Sequence, residues 1–480
     1  MATMLEIDTQ HRVKTYNDRD LWANDLMHLR KDHDLFLLNA YGGRLSAFLL
    51  SQTTGAIKEL RWSGDLLNVP RPSDLGMGET IAAEQMLAEG FPESQWSAAS
   101  YSTKRVKGKG VFTYPLGPVH ADIAEALLYR LHVMGDEIIR LDLENGLKQR
   151  HIRQLASHRP ISQALLIVER MTGTSAVAHA LAYSMAVENA LGIRVSAEVA
   201  MIRMILAELE RAYSHLGDLA ALAVSTGLSV PQMEYLHHKE TILRLNYALF
   251  GHRYLRGVIV PGGVQMHGST TSPDLTGAGQ QVVEILDDVV RIQEGLNGTT
   301  SFLDRLHGAG QIPQPTIDFV RPVGPVGRGA GRAWDVRMVR PYLRYLQTDL
   351  AIPSSTAADS YSRFHVKAEE LKQSLGILRR FLGGWPASSH HWVAEPLVQR
   401  PPNEGSEIVE GVGLVEAPRG LLAYAVVVNA ASLTVDDVAI ATPSSRNWYV
   451  VPPAMANKNI LQDFPIIDAS FNLSVAGWDG

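Results

Sequence analysis

The clearest pattern in the chain is a series of apolar, helically spaced stretches in its middle. One such stretch runs from Ser175 to Ala190 and ends at Gly192. Ser196 is placed to cap the next helix, which reaches about Ser225 and is apolar nearly all round. Further helices are predicted from Pro231 to Gly251, Ala278 to Leu306 and Asp359 to Leu382. Because helices that are apolar on all sides are buried, the sequence predicts a helical bundle core.

Shorter stretches with strand or turn character flank these helices. Near the N-terminus a helical stretch and two strands joined by a turn are predicted, at Asp18 to Asp32, Asp34 to Ala40 and Arg44 to Gln52. Alternation from Glu137 to Leu143, after a Gly135-Asp136 turn, predicts a hairpin. The tail from Gly411 to Gly480 is strand-like at Leu421 to Val428, at Val435 to Ala441 and at its end.

These patterns predict an α+β fold. It is mainly an α-helical bundle with a peripheral β-hairpin and C-terminal strands, preceded by a small N-terminal α/β module. We place the module at residues 1–98 and the larger domain at residues 99–480.

Composition excludes several classes of function. A formal net charge of −6 without a basic block argues against a nucleic-acid partner. No apolar run approaches the ~18 residues of a membrane-spanning helix, and the N-terminus lacks a signal-peptide pattern. We therefore expect a cytoplasmic protein, with peripheral attachment to a membrane left open. The absence of cysteine excludes cysteine-held zinc and iron–sulfur clusters within this chain, so any redox centre is bound non-covalently or belongs to a partner.

Several polar residues are candidates for chemistry. Thr172 and Ser175 open a helix, where their hydroxyls are expected to cap backbone N–H groups. His179 lies on the same helical face as Ser175, and a hydrogen-bonded core histidine is the preferred interpretation over a proton carrier. No Ser-His-Asp arrangement, paired carboxylates or phosphate-binding loop is identified from spacing.

A set of short motifs occurs in a characteristic order. They are Gly117-Pro118-Val119-His120, Glu169-Arg170-Met171-Thr172-Gly173-Thr174-Ser175 with His179, Ala207-Glu208-Leu209-Glu210-Arg211 with His215-Leu216, Pro261-Gly262-Gly263-Val264, Glu416-Ala417-Pro418-Arg419-Gly420, Asn447-Trp448, and the stretch from Asp463 to Gly477. From about Val111 to Gly480, this order resembles the large subunit shared by energy-converting nickel–iron hydrogenases and by complex I, where it is the D-type or 49 kDa subunit. In position and size, residues 1–98 resemble the C-type subunit of complex I.

By this resemblance, the chain lacks the metal-binding cysteines of the hydrogenases. The hydrogenase motifs carry four cysteines that hold nickel and iron, and here those positions are Thr172, Ser175, Ser474 and Gly477. Neutral hydroxyls cannot replace soft, bridging thiolates, so we expect no nickel–iron centre, no other metal site and no hydrogen turnover. The resemblance places the guanidinium of Arg419 over these positions, and the sequence suggests Glu169, Asp468 or a bound ligand as its anionic partner.

The quinone-binding features of the complex I subunit are altered as well. The position of its quinone-binding tyrosine is occupied by Ile161, that of a second histidine by Ala124, and that of a glutamate by Arg153. A quinone remains a candidate ligand, and it would then bind at a different position from that in the complex I subunit. His120 is the imidazole that the resemblance directs toward the cavity.

By resemblance, the chain is expected to be the large subunit of the peripheral arm of a membrane-bound redox complex that couples electron transfer to ion translocation. Expected partners are an iron–sulfur small subunit similar to the B-type subunit of complex I, and membrane subunits similar to antiporters and to the H-type subunit. His120, His179 and Arg419 are candidates for proton handling. The alternatives are a quinone-reactive oxidoreductase subunit similar to those of NADH dehydrogenase, and a redox-inactive scaffold.

Overall fold

A computed structural model describes residues 12–16, 25, 29–30, 32–41, 44–63, 106, 108–119, 125–265, 275–383 and 407–478. His120 and Ala124, and most of the predicted helix from Asp18 to Asp32, lie outside these residues. Within them the fold is α+β, as the sequence predicted.

Four strands form the N-terminal sheet, in the order β1-β4-β3-β2. They are β1 (Arg12–Tyr16), β2 (His33–Tyr41), β3 (Arg44–Ser51) and β4 (Ile57–Ser63). Strand β1 pairs parallel with β4, and the other pairs are antiparallel. The predicted β2–β3 hairpin is therefore confirmed.

A three-stranded antiparallel sheet follows, in the order β5-β6-β7. It consists of β5 (Val111–Leu116), β6 (Leu128–Met134) and β7 (Glu137–Glu144). Gly135 and Asp136 turn the chain between β6 and β7, as their composition predicted.

The bundle begins with α1 (Ile152–Ala156), the short strand β8 (Arg159–Pro160) and α2 (Ile161–Val168). Its long helices are α3 (Ala176–Leu191), α4 (Ala197–Ser225) and α5 (Ser229–Phe250). Ser196 caps α4 by accepting a hydrogen bond from Val199 N, and Gly192 and Gly251 end their helices with positive φ. These termini are where the sequence placed them.

After α5, a small antiparallel hairpin pairs β9 (Ile259–Val260) with β10 (Gly263–Val264). Helices α6 (Leu275–Asn297) and α7 (Thr300–Leu306) follow, so the single helix predicted from Ala278 to Leu306 is wrong. The break lies at Gly298 and Thr299, because Thr299 adopts an extended backbone and opens α7. Three short helices, α8 (Gln314–Val320), α9 (Gly324–Arg328) and α10 (Val336–Val339), lead to α11 (Ser360–Gly383).

The C-terminal sheet is antiparallel, in the order β11-β12-β13-β8. It contains β11 (Ile408–Ala417), β12 (Gly420–Asn429) and β13 (Thr434–Ala441). The chain ends in α12 (Pro443–Asn447), α13 (Val451–Met455) and α14 (Phe464–Phe471). The prediction of strand at the end is therefore wrong. The apolar residues of α14 are buried in a short helix, and in so short a run periodicity cannot distinguish a buried helix from a strand.

The C-terminal sheet is covered on both faces, which explains why β11 and β12 are apolar almost throughout. Helix α3 packs against β11 and β12 in the main core, while Phe36 and Phe48 of the N-terminal sheet pack near Leu414 and Ala423 in a second cluster. Gly413 permits the close approach of α3, since a Cβ there would lie 1.9 Å from Ala182 O. Among the described residues, no helix is both long and apolar enough to cross a membrane.

Candidate functional site

Two stretches contain the positions that the resemblance assigns to metal-binding cysteines: the first runs from Glu169 to His179 and the second from Asp463 to Gly477. The loop between α2 and α3 carries the start of the first stretch. The buried carboxylate of Glu169 accepts a hydrogen bond from Gly257 N at 2.9 Å and pairs with Arg170. Arg150 donates to the backbone carbonyls of Arg170 and Met171. Arg150 thus holds the loop by its backbone, and the backbone of Gly257 holds it by the Glu169 side chain.

Ser175 occupies the N-cap of α3, but its hydroxyl makes no capping hydrogen bond. The cap is supplied by Glu210 of α4, whose carboxylate accepts from Val177 N at 2.6 Å and Ala178 N at 2.9 Å. The hydroxyl of Thr172 is buried without a hydrogen-bond partner among the described residues. The prediction that Thr172 and Ser175 cap the helix is therefore wrong, because a carboxylate is the stronger acceptor at the positive end of a helix.

Glu210 is chemically unusual as well. Burial raises its pKa to about 7, although the N–H groups of Ala178 and Val177 and the Tyr213 hydroxyl favour the charged form. A carboxyl group with such a pKa can exchange a proton near neutral pH. The sequence offered one signal for it, since a charged residue in a helix that is apolar nearly all round requires a buried partner.

The second stretch is held by hydrogen bonds on its backbone. The Oγ of Ser474 lies 3.3 Å from Glu125 Oε2 and accepts from Gly477 N at 3.3 Å. Glu125 also accepts from Ala476 N at 2.8 Å and pairs with Lys148 at 2.9 Å. The hydroxyl of Thr442 donates to the carbonyl of Gly477.

Arg419, on the turn between β11 and β12, joins the two stretches. Its Nη1 donates to Thr174 Oγ1 at 2.6 Å, and its Nε donates to the carbonyl of Asn472 at 2.6 Å. The two stretches therefore meet in space at one guanidinium. This contact is the feature around which the candidate site is built.

The carboxylate partner of Arg419 is Asp218 of α4, at 3.5 Å, and the suggestion of Glu169 or Asp468 is wrong. Glu169 is engaged by Gly257 N, and Asp468 accepts from the Tyr129 hydroxyl at 2.7 Å. Spacing along α4 could not reveal this pairing, because it depends on how β12 crosses the bundle.

A second cation completes this group of charges. Lys367 of α11 lies 2.9 Å from Asp218 and donates to the carbonyl of Ser470 near the C-terminal end of α14. Burial opposes ionisation of Asp218, but Lys367 and Arg419 outweigh it and lower its pKa. Burial likewise lowers the pKa of Lys367, against the attraction of Asp218. We call Asp218, Lys367 and Arg419 the Asp218 cluster.

A larger ionic network lies next to this cluster along α4. His215 Nε2 contacts Glu370 at 2.9 Å, and Arg328 contacts Glu370 at 2.6 Å and Glu416 at 2.8 Å. Burial and Asp335 raise the pKa of Glu416 to about 7. The remaining members are buried charged side chains: Glu208, Arg211, Asp335 and Arg337. Each arginine and each carboxylate of this network lies beside at least one group of opposite charge, as buried ions require.

His179 and Ile161 lie in an aromatic part of the core. His179 Nδ1 is 2.6 Å from the Tyr424 hydroxyl, and burial, with a smaller effect of Arg150, lowers the pKa of His179 to about 3. Its contacts are those of a hydrogen-bonded core histidine. The side chain of Ile161 belongs to the main core, and its carbonyl accepts from the Tyr183 hydroxyl at 2.9 Å. The aliphatic side chain of Ile161 thus provides no hydrogen-bond donor.

The resemblance places the four cysteines of a nickel–iron centre at positions where this chain has no sulfur ligand. Thr172, Ser175 and Ser474 offer hydroxyls and Gly477 offers no side chain, whereas those metals require soft sulfur ligands. Within the described part of the chain, no group of three or more His, Asp or Glu side chains is arranged to hold a metal ion.

Several known proteins are similar to this chain in sequence or in fold. Carbon monoxide-induced hydrogenase of Rhodospirillum rubrum is 28% identical over 358 residues, covering 74% of this chain and 96% of that protein. The D-type subunit of the NADH-quinone oxidoreductase of Acidiphilium cryptum is 30% identical over 282 residues, covering 57% of this chain and 67% of that protein. A chain of the membrane-bound sulfane sulfur reductase, an archaeal respiratory membrane complex, has the same fold: the TM-score is 0.70 at 24% identity, with 78% of this chain and 100% of that chain covered.

Residues 226–480 match the family described as respiratory-chain NADH dehydrogenase, 49 Kd subunit. The match spans more than half of the 480 residues and includes the turn that carries Arg419 and the end stretch with Ser474. The protein therefore belongs to the 49 kDa subunit family of respiratory-chain NADH dehydrogenase.

Proposed function

We propose that this chain is the large subunit of the peripheral arm of a membrane-bound redox complex, one that couples electron transfer to ion translocation without a nickel–iron centre. Relatives named as a hydrogenase and as part of a quinone oxidoreductase support the general role. The absence of cysteine, together with hydroxyls and glycine at the former thiolate positions, supports the loss of the metals. The subunit would sit on the cytoplasmic side of the cell membrane.

The proposed partners follow from the same reasoning. A chain without cysteine cannot hold its own iron–sulfur cluster, so an electron would arrive on a small subunit that carries one. Membrane subunits similar to antiporters and to the H-type subunit of complex I would carry out the ion movement. This chain would lie between the two and link the charge on the cluster to its own buried charges.

The single observation that carries the proposal is the Asp218 cluster at the junction of the two stretches. It brings together two cations and one carboxylate, all buried, beside the two stretches that resemble the halves of a metal site. Buried charges interact strongly with an electron added nearby, because little water screens them. Reduction of the partner's cluster would therefore favour proton uptake by the adjacent protein.

Glu210 is the group best suited to take up that proton. It caps the helix that opens at the first stretch, and its pKa of about 7 lets it change charge under ordinary conditions. His179, predicted from sequence as a proton carrier candidate, has a pKa of about 3 and would remain neutral. Arg419 would then act by its fixed charge, and Glu210 by its proton.

The test uses the intact, purified membrane complex with Asp218→Asn. Electron transfer and ion uptake into vesicles are measured together, and we expect coupled turnover to fall at least about tenfold, because a unit charge is removed beside two buried cations. Asp349→Asn is the matched control, since that carboxylate is 98% exposed and should leave both rates unchanged.

Three outcomes decide between the alternatives. Stoichiometric nickel in the purified complex would refute the loss of the metal centre. Full coupled turnover in both Asp218→Asn and Glu210→Gln, with the complex assembled, would favour a structural scaffold. Quinone-dependent turnover that these variants do not affect would favour a quinone-reactive subunit.

A further inference from the structure

A row of three hydrogen-bonded side chains crosses the three-stranded sheet, one from each strand. Thr113 Oγ1 of β5 lies 2.8 Å from His132 Nδ1 of β6, and His132 Nε2 lies 3.0 Å from Asp142 Oδ2 of β7. Asp142 is held in turn by Arg140, whose Nε donates to Asp142 Oδ1 at 2.6 Å. A hydroxyl, an imidazole and a carboxylate are thus connected in that order, by a strand register that spacing along the chain did not reveal.

The direction of these hydrogen bonds follows from the carboxylate. An ionised carboxylate only accepts hydrogen bonds, so the ring of His132 in its neutral form carries its proton on Nε2 and donates it to Asp142. His132 Nδ1 is then an acceptor, and the Thr113 hydroxyl is the donor. A nucleophilic hydroxyl needs this polarity, because the ring nitrogen can take its proton while the carboxylate stabilises the imidazolium that forms. The two ring nitrogens exchange the roles that they have in serine hydrolases, which leaves the path of the proton unchanged.

Exposure differs along this row of side chains. His132 is 4% exposed and the side chain of Asp142 is 12% exposed, whereas Thr113 is exposed. Strand β5 is at the edge of its sheet, and no strand among the described residues pairs with its other side. The imidazole and its carboxylate are therefore shielded from water, while a substrate can reach the hydroxyl from solvent. Edge strands also present unpaired backbone N–H groups, a kind of donor that stabilises a developing oxyanion.

Apolar side chains lie beside Thr113 on the same face of the sheet. Strand side chains alternate between faces, so Val111 and Met134, which are partners across β5 and β6, share the face of Thr113 and His132. Met134 is 51% exposed and is thus available for contact with a bound molecule. An acyl group with a short alkyl chain matches this surface, because its carbonyl can meet the hydroxyl while its chain covers apolar atoms.

We propose that Thr113, His132 and Asp142 form a site for acyl transfer from esters to water, with the Thr113 hydroxyl as the nucleophile. Thr113 Oγ1 bonds to the acyl carbon while its proton passes to His132 Nδ1. The bond to the leaving alcohol then breaks, and the alkoxide takes that proton. Water, giving its proton to the same nitrogen, cleaves the acyl-threonine; the threonine oxygen recovers the proton and the carboxylic acid leaves. This site shares no residue with the Asp218 cluster.

The test incubates the full chain with 4-nitrophenyl butyrate, measures release of nitrophenolate and locates the acyl group by peptide mass spectrometry after an acid quench. We expect a butyryl group on Thr113, and saturable release that Thr113→Ala abolishes and Thr113→Ser retains. His132→Gln should slow release at least about a hundredfold, because it removes the general base. Thr241→Ala is the matched control: the Thr241 hydroxyl donates to the carbonyl of His237 rather than to a base, so its loss should leave the rate unchanged.

Asp142 acts through His132 and is a positioning residue. Asp142→Asn should lower kcat at least about tenfold with KM unchanged, because the amide no longer holds the ring in the tautomer that accepts the hydroxyl proton. If His132→Gln does not fold, the Thr113 variants decide the question, since Thr113 is exposed on an edge strand. No butyryl group on Thr113, equal release by Thr113→Ala and the natural protein, or an effect of Asp142→Asn on KM alone would each overturn the proposal.

Discussion

Gly413→Ala is the most direct test of how the sheet positions the candidate site. Gly413 lies in β11 where α3 crosses it, and an added Cβ would lie 1.9 Å from Ala182 O and 2.8 Å from Ala186 N. Both atoms belong to the backbone of α3 and cannot rotate away. Helix and strand would have to separate by more than about 1 Å to reach ordinary contact.

The expected loss of stability follows from that geometry. Overpacking in a well-packed core costs about 1–3 kcal/mol, and the upper end applies because the clash is with backbone. Separation of α3 from the sheet would also lengthen the 2.6 Å contact between His179 and Tyr424, which joins α3 to β12. We therefore expect a decrease of about 3 kcal/mol in the free energy of unfolding.

Urea unfolding followed by tryptophan fluorescence measures the change, with Gly376→Ala as the matched control. Gly376 lies inside α11, and a Cβ there meets no atom within 4 Å. The same substitution should stabilise the protein by about 1 kcal/mol there, because alanine favours a helix. Both substitutions restrict the unfolded chain similarly, so the difference between the two changes in the free energy of unfolding mainly reports the clash in the folded state. Equal stability of the two variants would refute the close packing of α3 on β11.

Three further predictions concern buried charge. Arg328→Met should destabilise the protein by about 3–5 kcal/mol in urea unfolding, because Glu370 and Glu416 lose their shared partner. The control is Arg291→Met at an exposed ion pair, which should change the free energy of unfolding by less than about 1 kcal/mol. The pKa of Glu210 is raised in the folded state from 4.5 to about 7, so protonation of Glu210 favours the folded state. This stabilisation is complete below about pH 4.5 and declines by up to about 3 kcal/mol as the pH rises to 7. Glu210→Gln should remove that slope, and a slope of the same size in the variant would contradict the assignment. His179 should remain neutral from pH 5 to 8, and an NMR titration midpoint in that range would show that its pKa is not lowered.

Much of the bundle could be predicted from sequence because its signals are local. Gly192, Ser196 and Gly251 mark helix ends through backbone and capping preferences that neighbouring residues hardly alter. The fold class and family followed from such elements and from motifs in a fixed order. By contrast, α14 was predicted as strand, because its short apolar run is compatible with either structure until its packing is known.

The candidate site was predicted only in outline. The motifs predicted a guanidinium over Thr172, Ser175, Ser474 and Gly477, and in the structure Arg419 contacts the neighbouring Thr174 and Asn472. Its carboxylate partner is Asp218. Ser175 was placed correctly at a helix start, but the capping group comes from Glu210 on another helix. Partners of this kind depend on helix crossing and on side-chain direction, which spacing along one element does not determine.

The guanidinium of Arg419 also has a consequence for the order of folding. It contacts Thr174, which precedes it by 245 residues, and Asn472, which follows it by 53. Contacts between residues so distant in sequence form slowly, because long loops must close first. During synthesis the bundle helices can associate while this junction is still open, until Asn472 has left the ribosome. Completion of the junction is thus a late event, and a partner that recognises the closed junction would bind only chains that have finished folding.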